Sequence, residues 1–509
     1  MENLFYEPIQ LLDTTLRDGL QACELNLFPY ERLEIAKDLV ILGVDTIEAG
    51  FASSSPGNFR SVNLIAQELG KYSTICSLAL ADPEDIEKAA RAIEPAEKKR
   101  IHTFIATSDI HIEKKLRSTR ERVMKKAVNA IKKARQYVDE VQFSLEDYTR
   151  TDPSFAQEIA QAAIDAGARI INLPDTVGYA QPDEYANMIH HTIDGCSPCI
   201  WSVHTHNDLG NATANTIAGL RAGARQAEVT LNNIGERAGN AALEEIVANL
   251  RTRDIKYGDK ILYTNINPSH ITAASKNLEY TTRMHVQPTK AIVGKNAFAH
   301  SSGIHQAGIL NDSMTYEIMD PSDYGATSRL GHGAQSGKNG ARERYKKIGI
   351  ELSEDELAAA NENLKTICDE VRYTDDADFI HALNGQDVPE RYRLISEHSI
   401  PVKENIGSVI KLQVDDTVRT NYAEGNGPVD AAVNAIKGII KKEYMIKDFT
   451  IAAEGNGSNS CGNARAIVTK NGWEVIGIGE DNSIVRSGIE AYLQGCNRLD
   501  FIDCYFSER

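Results

Sequence analysis

Residues 169–195 read RIINLPDTVGYAQPDEYANMIHHTIDG. An apolar, β-branched run, RIINLPDT, closes on Asp175 and Thr176; a turn follows, Pro182 opens an amphipathic stretch over 182–193, and Gly195 ends it. Proline suits the first position of a helix, and glycine suits the left-handed backbone that often ends one. The stretch therefore predicts one strand–helix unit.

Outward from it the same unit recurs in both directions. Strands are predicted in IQLLDT, VDTIEAGF, YSTICSLAL, RIHTFIATS, DEVQFSLED, IWSVHTHND and QAEVTLNNI. Helices are predicted over 29–42, 56–69, 83–95, 112–135, 153–166, 210–222 and 239–250, with Pro29, Pro56, Pro83 and Pro153 at starts and Gly43, Gly70, Gly167 and Gly223 near ends. Eight units of about 30 residues make the length of a (β/α)₈ TIM barrel. An open doubly wound sheet alternates too, but the glycine-rich dinucleotide fingerprint is missing after the first strand.

The predicted fold class is α/β: a barrel over 1–257, a mostly helical and loop subdomain over 258–385 that completes the active site, a polar linker over 386–405, and an α+β domain over 406–509. The last domain carries an internal echo. YAEGNG (422–427) and AAEGNG (452–457) each neighbour alternating strands and precede helices near 428–444 and 483–498, which predicts duplicated ββα units with turns at Gly425–Gly427 and Gly455–Gly457.

Net charge of −17 argues against nucleic acid or an anionic membrane as partner. No apolar run approaches the roughly 20 residues of a membrane helix. The start MENLFYEPIQ is not a secretory signal, and eight scattered cysteines suit a reducing, cytoplasmic setting. Cys196 and Cys199 form a lone C-x-x-C between a helix and a strand, without the companions a zinc or redox site needs.

A barrel puts chemistry at the C-terminal ends of its strands. The polar residues there are Arg17 and Asp18, Glu48, His102, Glu146, Asp175 and Thr176, then His204, His206 and Asp208, and finally Asn232 and Asn233. In LLDTTLRDGLQ (11–21), Arg17 and Asp18 are either a salt bridge or an oxyanion clamp beside a metal ligand. In SVHTHNDLG, His204 and His206 sit two apart on a strand and share a face; they serve either as a hydrogen-bonded pair or as ligands. Asp18, the two imidazoles and the amide oxygen of Asn240 make a mixed O/N set. It suits Mn²⁺, Mg²⁺ or Zn²⁺ with open positions rather than a closed structural zinc. His305, in HSSGIHQAG beyond the barrel, is either a solvated loop histidine or a proton-transfer group.

DTTLRDGLQ, VDTIEAGF, IHTFIATS, NLPDTVGY, VHTHNDLGNATAN, NNIGERAGNAALEE and AFAHSSGIHQ, in that order, resemble the family of Claisen-condensing synthases that act on 2-keto acids with acetyl-CoA, the 2-isopropylmalate, citramalate and homocitrate synthases. AEGNGPVDAAVNAI in the tail resembles the regulatory domain of the first two. The resemblance implies metal ligation by Asp18, His204, His206 and Asn240, and charge stabilisation at the keto oxygen by Arg17. It implies Glu146 as the acidic group of the fifth strand and His102 and Thr176 near the keto acid, with Glu48 counted among the substrate-binding residues. It implies His305 in acetyl-CoA chemistry, a homodimer and an amino-acid effector, leucine, in the tail. The implied reaction joins acetyl-CoA to 2-ketoisovalerate; pyruvate as substrate and a retro-aldol acyl-CoA lyase are the alternatives. Leu20 and Ala307 stand where many members have glutamate and aspartate, and RLGHGAQSGKNG (329–340) and GIGEDNSIVRSGIEAYL (477–493) depart from the usual forms.

Overall fold

The structure is a computed structural model that describes residues 5–330, 337–402, 404–455 and 460–507. The chain forms two compact units: Met1–Ala299 with Glu317–Ser328, and His300–Tyr316 with Arg329–Arg509.

The first unit is a closed barrel of eight parallel strands: β1 (Gln10–Asp13), β2 (Thr46–Glu48), β3 (Thr74–Leu80), β4 (Lys99–Ala106), β5 (Glu140–Glu146), β6 (Ile170–Asp175), β7 (Ile200–Thr205) and β8 (Gln226–Val229). It closes where β1 pairs with β8, Gln10 opposite Gln226 and Asp13 opposite Val229. The outer helices are α1 (Pro29–Leu42), α2 (Pro56–Leu69), α3 (Pro83–Ile93), α4 (Arg120–Ala134), α5 (Pro153–Asp165), α6 (Pro182–Asp194), α7 (Ala212–Arg221) and α8 (Leu243–Thr252). Five begin on proline. Ser55, Asp82, Thr119 and Asp152 cap theirs by accepting a backbone N–H from the first turn, which satisfies a donor the helix leaves open. Ile35, Leu39, Ile65, Ile86 and Ile131 on the helices bury against strand residues such as Leu11, Ile47, Ile75 and Val141.

The helix expected over 112–135 is two pieces. A π-turn spans His111–Lys115, Arg117 takes a left-handed φ of 47°, and α4 starts only after Thr119. Alternation along the strands leaves the barrel interior polar. Arg100 and His102 on β4, Gln142 and Ser144 on β5, Ser202 and His204 on β7, and Gln226 and Glu228 on β8 share interior faces, since residues two apart on a strand point the same way.

The first unit extends beyond 257. Lys260–Tyr263 pairs in parallel with Phe5–Pro8, and α9 (Ile271–Thr282) lies on α1, where Asp38 accepts from Asn277 (2.6 Å) and pairs with His270 (2.8 Å). The separate subdomain expected over 258–385 is therefore corrected: its first part belongs to the barrel unit and its later helices to the second.

The second unit holds α10 (Gly303–Asn311), α11 (Lys338–Lys347), α12 (Glu354–Glu370) and α13 (Asp376–Asn384). Then come β9 (Tyr392–Val402), β10 (Asn405–Val414), β11 (Thr417–Gly425), α14 (Pro428–Ile440), β12 (Met445–Glu454), β13 (Cys461–Lys470), β14 (Trp473–Asp481) and α15 (Ile484–Ser507). Tyr345, Leu357, Phe379 and Ile380 share one core with Ile410, Leu412, Ile436, Val468, Tyr492 and Leu499. The duplication is real but each copy is βββα, with antiparallel sheets β9–β10–β11 and β12–β13–β14.

The linker expected over 386–405 is corrected as well, because it contains β9. Tyr392 and Leu394 are buried, while Arg393, Ser399 and Ile400 face solvent, so an edge strand with one wet face read as a polar connector. Proline is tolerated there, at Pro401, because the strand is an edge. Residues 331–336 of RLGHGAQSGKNG and Gly457 of the second glycine turn lie outside the described residues. Among the described residues no helix is long and apolar enough to cross a membrane, and all eight cysteines are free thiols.

Candidate active site

Arg17, Asp18, His102, Glu146, Thr176, His204 and His206 line one cavity of about 250 Å³ at the C-terminal rim of the barrel. Glu48 and Asn240 stand behind its wall and bond to the residues that line it.

Arg17 is clamped from two sides. Its Nε donates to Glu48 Oε2 and its Nη1 to Asp18 Oδ2, each at 2.6 Å. Glu48 also accepts from Thr14 Oγ1 at 2.7 Å, and its Oε1 is 2.6 Å from His102 Nδ1; His102 Nε2 is 2.6 Å from Ser144 Oγ. Burial opposes ionisation of Glu48, but the Arg17 guanidinium and His102 hold its carboxyl well below the usual range. Burial also opposes ionisation of Asp18, and Arg17, His204 and His206 outweigh it. The salt-bridge and site readings of LLDTTLRDGLQ thus coexist: the ion pair is the mount that aims Arg17 into the cavity.

Two imidazole nitrogens converge on Asp18. His206 Nδ1 lies 3.2 Å from the Gly239 carbonyl, so that nitrogen carries the proton and Nε2 presents a lone pair. His204 Nδ1 lies 3.1 Å from Glu228 Oε2, with the same consequence. The two Nε2 atoms are 3.2 Å apart, and each is 3.9 Å from Asp18 Oδ2. Burial and the neighbouring His204 pull His206 down to about 4, which favours its neutral form. Burial also pulls His204 down, but Glu228 and Asp18 raise it overall.

Asn240 adjoins these three residues. Its Nδ2 donates to Asp18 Oδ1 at 2.7 Å, while its Oδ1 is buried with no hydrogen-bond partner. Gly235 permits that approach, since a Cβ there would lie 2.1 Å from Asn240 Nδ2. Two imidazole lone pairs and a carboxylate facing one another are mutually repulsive unless a cation sits among them, and the Asn240 amide bonded to that carboxylate carries a buried oxygen with no partner. This O/N donor chemistry fits a divalent metal.

Glu146 lies at the mouth, bonded to Lys115 and 3.9 Å from His111 Nδ1. Thr176 Oγ1 accepts the Asp147 N–H at 2.9 Å, which leaves its own hydroxyl proton free to donate. His305 belongs to the second unit, on α10, with its ring stacked on Tyr316 at 4.1 Å.

Three strand-end expectations have structural roles instead. Asp175 accepts from Thr149 and the Ala180 N–H and ties its own turn. Asp208 takes a two-pronged bond from Arg237. Asn232 and Asn233 lie past β8 in left-handed backbone, and Asn233 Nδ2 holds the Asn240 carbonyl at 2.8 Å. The sequence reading missed Thr14, Ser144, Gln142 and Glu228. All but Thr14 were signalled by polar residues at alternate positions of the interior strands.

Comparison with known proteins finds matches along nearly the whole chain. The HMGL-like profile matches residues 8–277, the "Homocitrate synthase post-HMGL domain-like" profile 292–372, and the "LeuA allosteric (dimerisation) domain" profile 373–500. The 2-isopropylmalate synthase of Aquifex aeolicus is 42% identical over 507 residues, 97% of this chain and 96% of that protein. The chain belongs to the 2-isopropylmalate synthase family. The 2-isopropylmalate synthase of Pelotomaculum thermopropionicum is 43% identical over 505 residues, covering 97% of this chain and 98% of its own length, and that of Neisseria meningitidis serogroup B is 42% identical over 502 residues, 96% of each. Members of the family are acyltransferases. Among solved structures, hydroxymethylglutaryl-CoA lyase from Pseudomonas aeruginosa aligns with a TM-score of 0.48 at 20% identity, over 55% of this chain and 95% of that one.

Proposed function

We propose that this protein condenses acetyl-CoA with 2-ketoisovalerate (3-methyl-2-oxobutanoate) to give 2-isopropylmalate and CoA, the first committed step of leucine biosynthesis. The observation that carries the reading is the convergence of Asp18, His204 and His206 on one point beside Arg17. Relatives named 2-isopropylmalate synthase that match nearly end to end support it.

A divalent ion, Mn²⁺, Mg²⁺ or Zn²⁺, held by Asp18, His204, His206 and Asn240 would supply Lewis acidity to the keto carbonyl. Arg17, fixed by Glu48, stabilises the alkoxide that develops there; a donor already oriented needs no reorganisation during reaction. His102, held between Glu48 and Ser144, and the Thr176 hydroxyl orient the keto acid. A base takes a proton from the acetyl methyl, and the resulting carbon attacks the keto carbon. Water then cleaves the thioester and releases the CoA thiol. Glu146, at the cavity mouth, and His305 are the two groups assigned to the acetyl half. His305→Ala is expected to keep metal and keto-acid affinity while lowering kcat.

The tail makes the enzyme a homodimer inhibited by leucine, supported by the match of residues 373–500 to an allosteric dimerisation domain. The deciding experiment compares kcat/KM for 2-ketoisovalerate and pyruvate, with and without leucine or isoleucine. A preference for 2-ketoisovalerate with inhibition by leucine is expected. A preference for pyruvate assigns citramalate synthesis instead, and failure of both amino acids to inhibit removes the regulatory reading.

A further inference from the structure

A chain of buried polar side chains runs up the barrel interior toward His204. Arg100, 2% exposed on β4, donates from Nε to Glu140 Oε1 (2.6 Å) and from Nη1 to Gln142 Oε1 (3.0 Å) and Gln226 Oε1 (2.7 Å). Gln226 Nε2 in turn donates to Gln142 Oε1 at 3.0 Å and to Ser202 Oγ at 2.9 Å. Gln142 Nε2 donates to Glu228 Oε1 at 2.6 Å. Glu228 Oε2 and His204 Nδ1 are 3.1 Å apart, both buried, and each is the nearest polar partner the other is offered.

The polarity of this chain has one origin. Arginine only donates and stays protonated in proteins. The Gln142 carbonyl must therefore face Arg100, so its NH₂ faces Glu228, which can only accept. The second carboxylate oxygen of Glu228 is left for His204, and only an Nδ1–H satisfies it.

We infer that Glu228 is a positioning residue that fixes His204 as the Nδ1–H tautomer, with Gln142 and Arg100 setting the orientation of Glu228 from the far end of the barrel. The inference rests on the metal reading of His204 proposed above. It makes the ligand's lone pair a property of a hydrogen-bond sequence that begins three strands away, and no motif of the rim contains these residues.

Reversing the polarity tests it. In Glu228→Gln, the NH₂ of Gln142 still demands an acceptor. The new carbonyl turns toward Gln142 and the new NH₂ toward His204 Nδ1, which drives the ring proton onto Nε2, into the site. Mn²⁺ affinity, read by electron paramagnetic resonance of free ion over dialysed protein, is expected to fall about tenfold or more. The double variant Gln142→Glu/Glu228→Gln restores the order: the new carboxylate accepts from Arg100 and from the new amide, whose carbonyl again faces His204. Its Mn²⁺ affinity is expected to return to within about threefold of wild type.

A merely structural role predicts no such recovery, because the second substitution adds a second disturbance. Thermal unfolding establishes that each variant is folded. Should the double variant not fold, Gln142→Met removes the donor at similar volume and is expected to weaken Mn²⁺ binding severalfold. Unchanged binding in Glu228→Gln, no recovery in a folded double variant, or unchanged binding in Gln142→Met would each overturn the inference. Wild-type protein that binds no Mn²⁺ overturns the metal assignment, and this inference with it.

Discussion

Two buried charge networks, one in each unit, look alike by composition and differ in how they end. In the second unit, Asp500 accepts from Tyr392 Oη at 2.5 Å, from Lys442 Nζ at 2.6 Å and from the Tyr444 hydroxyl. Arg498 spans Asp375 and Asp378, with Nη2 at 2.6 Å from a carboxylate oxygen of each. Asp375 Oδ2 also accepts the Ile476 N–H at 2.7 Å. These acceptors meet donors within the chain. At the barrel rim, Asp18 and two imidazole nitrogens face one another, and Asn240 Oδ1 has no partner. Burial and charge are common to both; convergence of acceptors on an unsatisfied point belongs to the rim. That is the physical difference between a network that closes on itself and one that leaves acceptors open.

The contrast can be broken at its strongest point first. Asp18→Ala removes the carboxylate of the converging set, and the expected result is loss of bound divalent metal together with a drop in kcat of about a thousandfold or more. Metal analysis beside steady-state kinetics reads both. In the closed network, Arg498→Met leaves Asp375 and Asp378 buried without their cation. Unfolding free energy is expected to fall by about 3–5 kcal/mol, measured by denaturant titration. An unchanged midpoint would mean that this network is not structural.

Arg17→Lys sharpens the comparison within the rim. A lysine keeps the charge but cannot bridge Glu48 and Asp18 as a planar fork does, so kcat is expected to drop about a hundredfold with metal content unchanged. The smallest effect concerns acid. Burial alone would raise the Asp500 carboxyl, but Lys442, Tyr392 and Tyr444 hold it below its ordinary 3.8. A depressed native value contributes stability above the unfolded value, and that stability is lost as pH falls through the native one. Asp500→Asn should therefore flatten the acid limb of the stability profile below about pH 4, and an unaltered limb would exclude this assignment.

The barrel was legible because local rules repeat. Pro29, Pro56, Pro83, Pro153 and Pro182 each mark a helix start, and β-branched runs between them are the strands. The convergence of His204 and His206 at the rim was legible because their spacing fixes a shared face on any strand. Other features needed the fold. β9 was hidden by the charges of its wet face and by Pro401. Gln142 and Glu228 are far apart in sequence and meet only because the barrel closes, so no local pattern could pair them. Asn232 and Asn233 do not close β8 as expected, because the strand ends at Val229 and both fall in the turn that follows it.

The account stands on the rim network being completed by a cation that the condensation requires. The direct measurement is CoA thiol release from acetyl-CoA and 2-ketoisovalerate by chelator-stripped enzyme as Mn²⁺ is titrated back. The predicted result is no release without ion, recovery that saturates at about one ion per chain, and none when the keto acid is omitted. Full-rate release by the stripped enzyme, or no release at saturating ion, would contradict it.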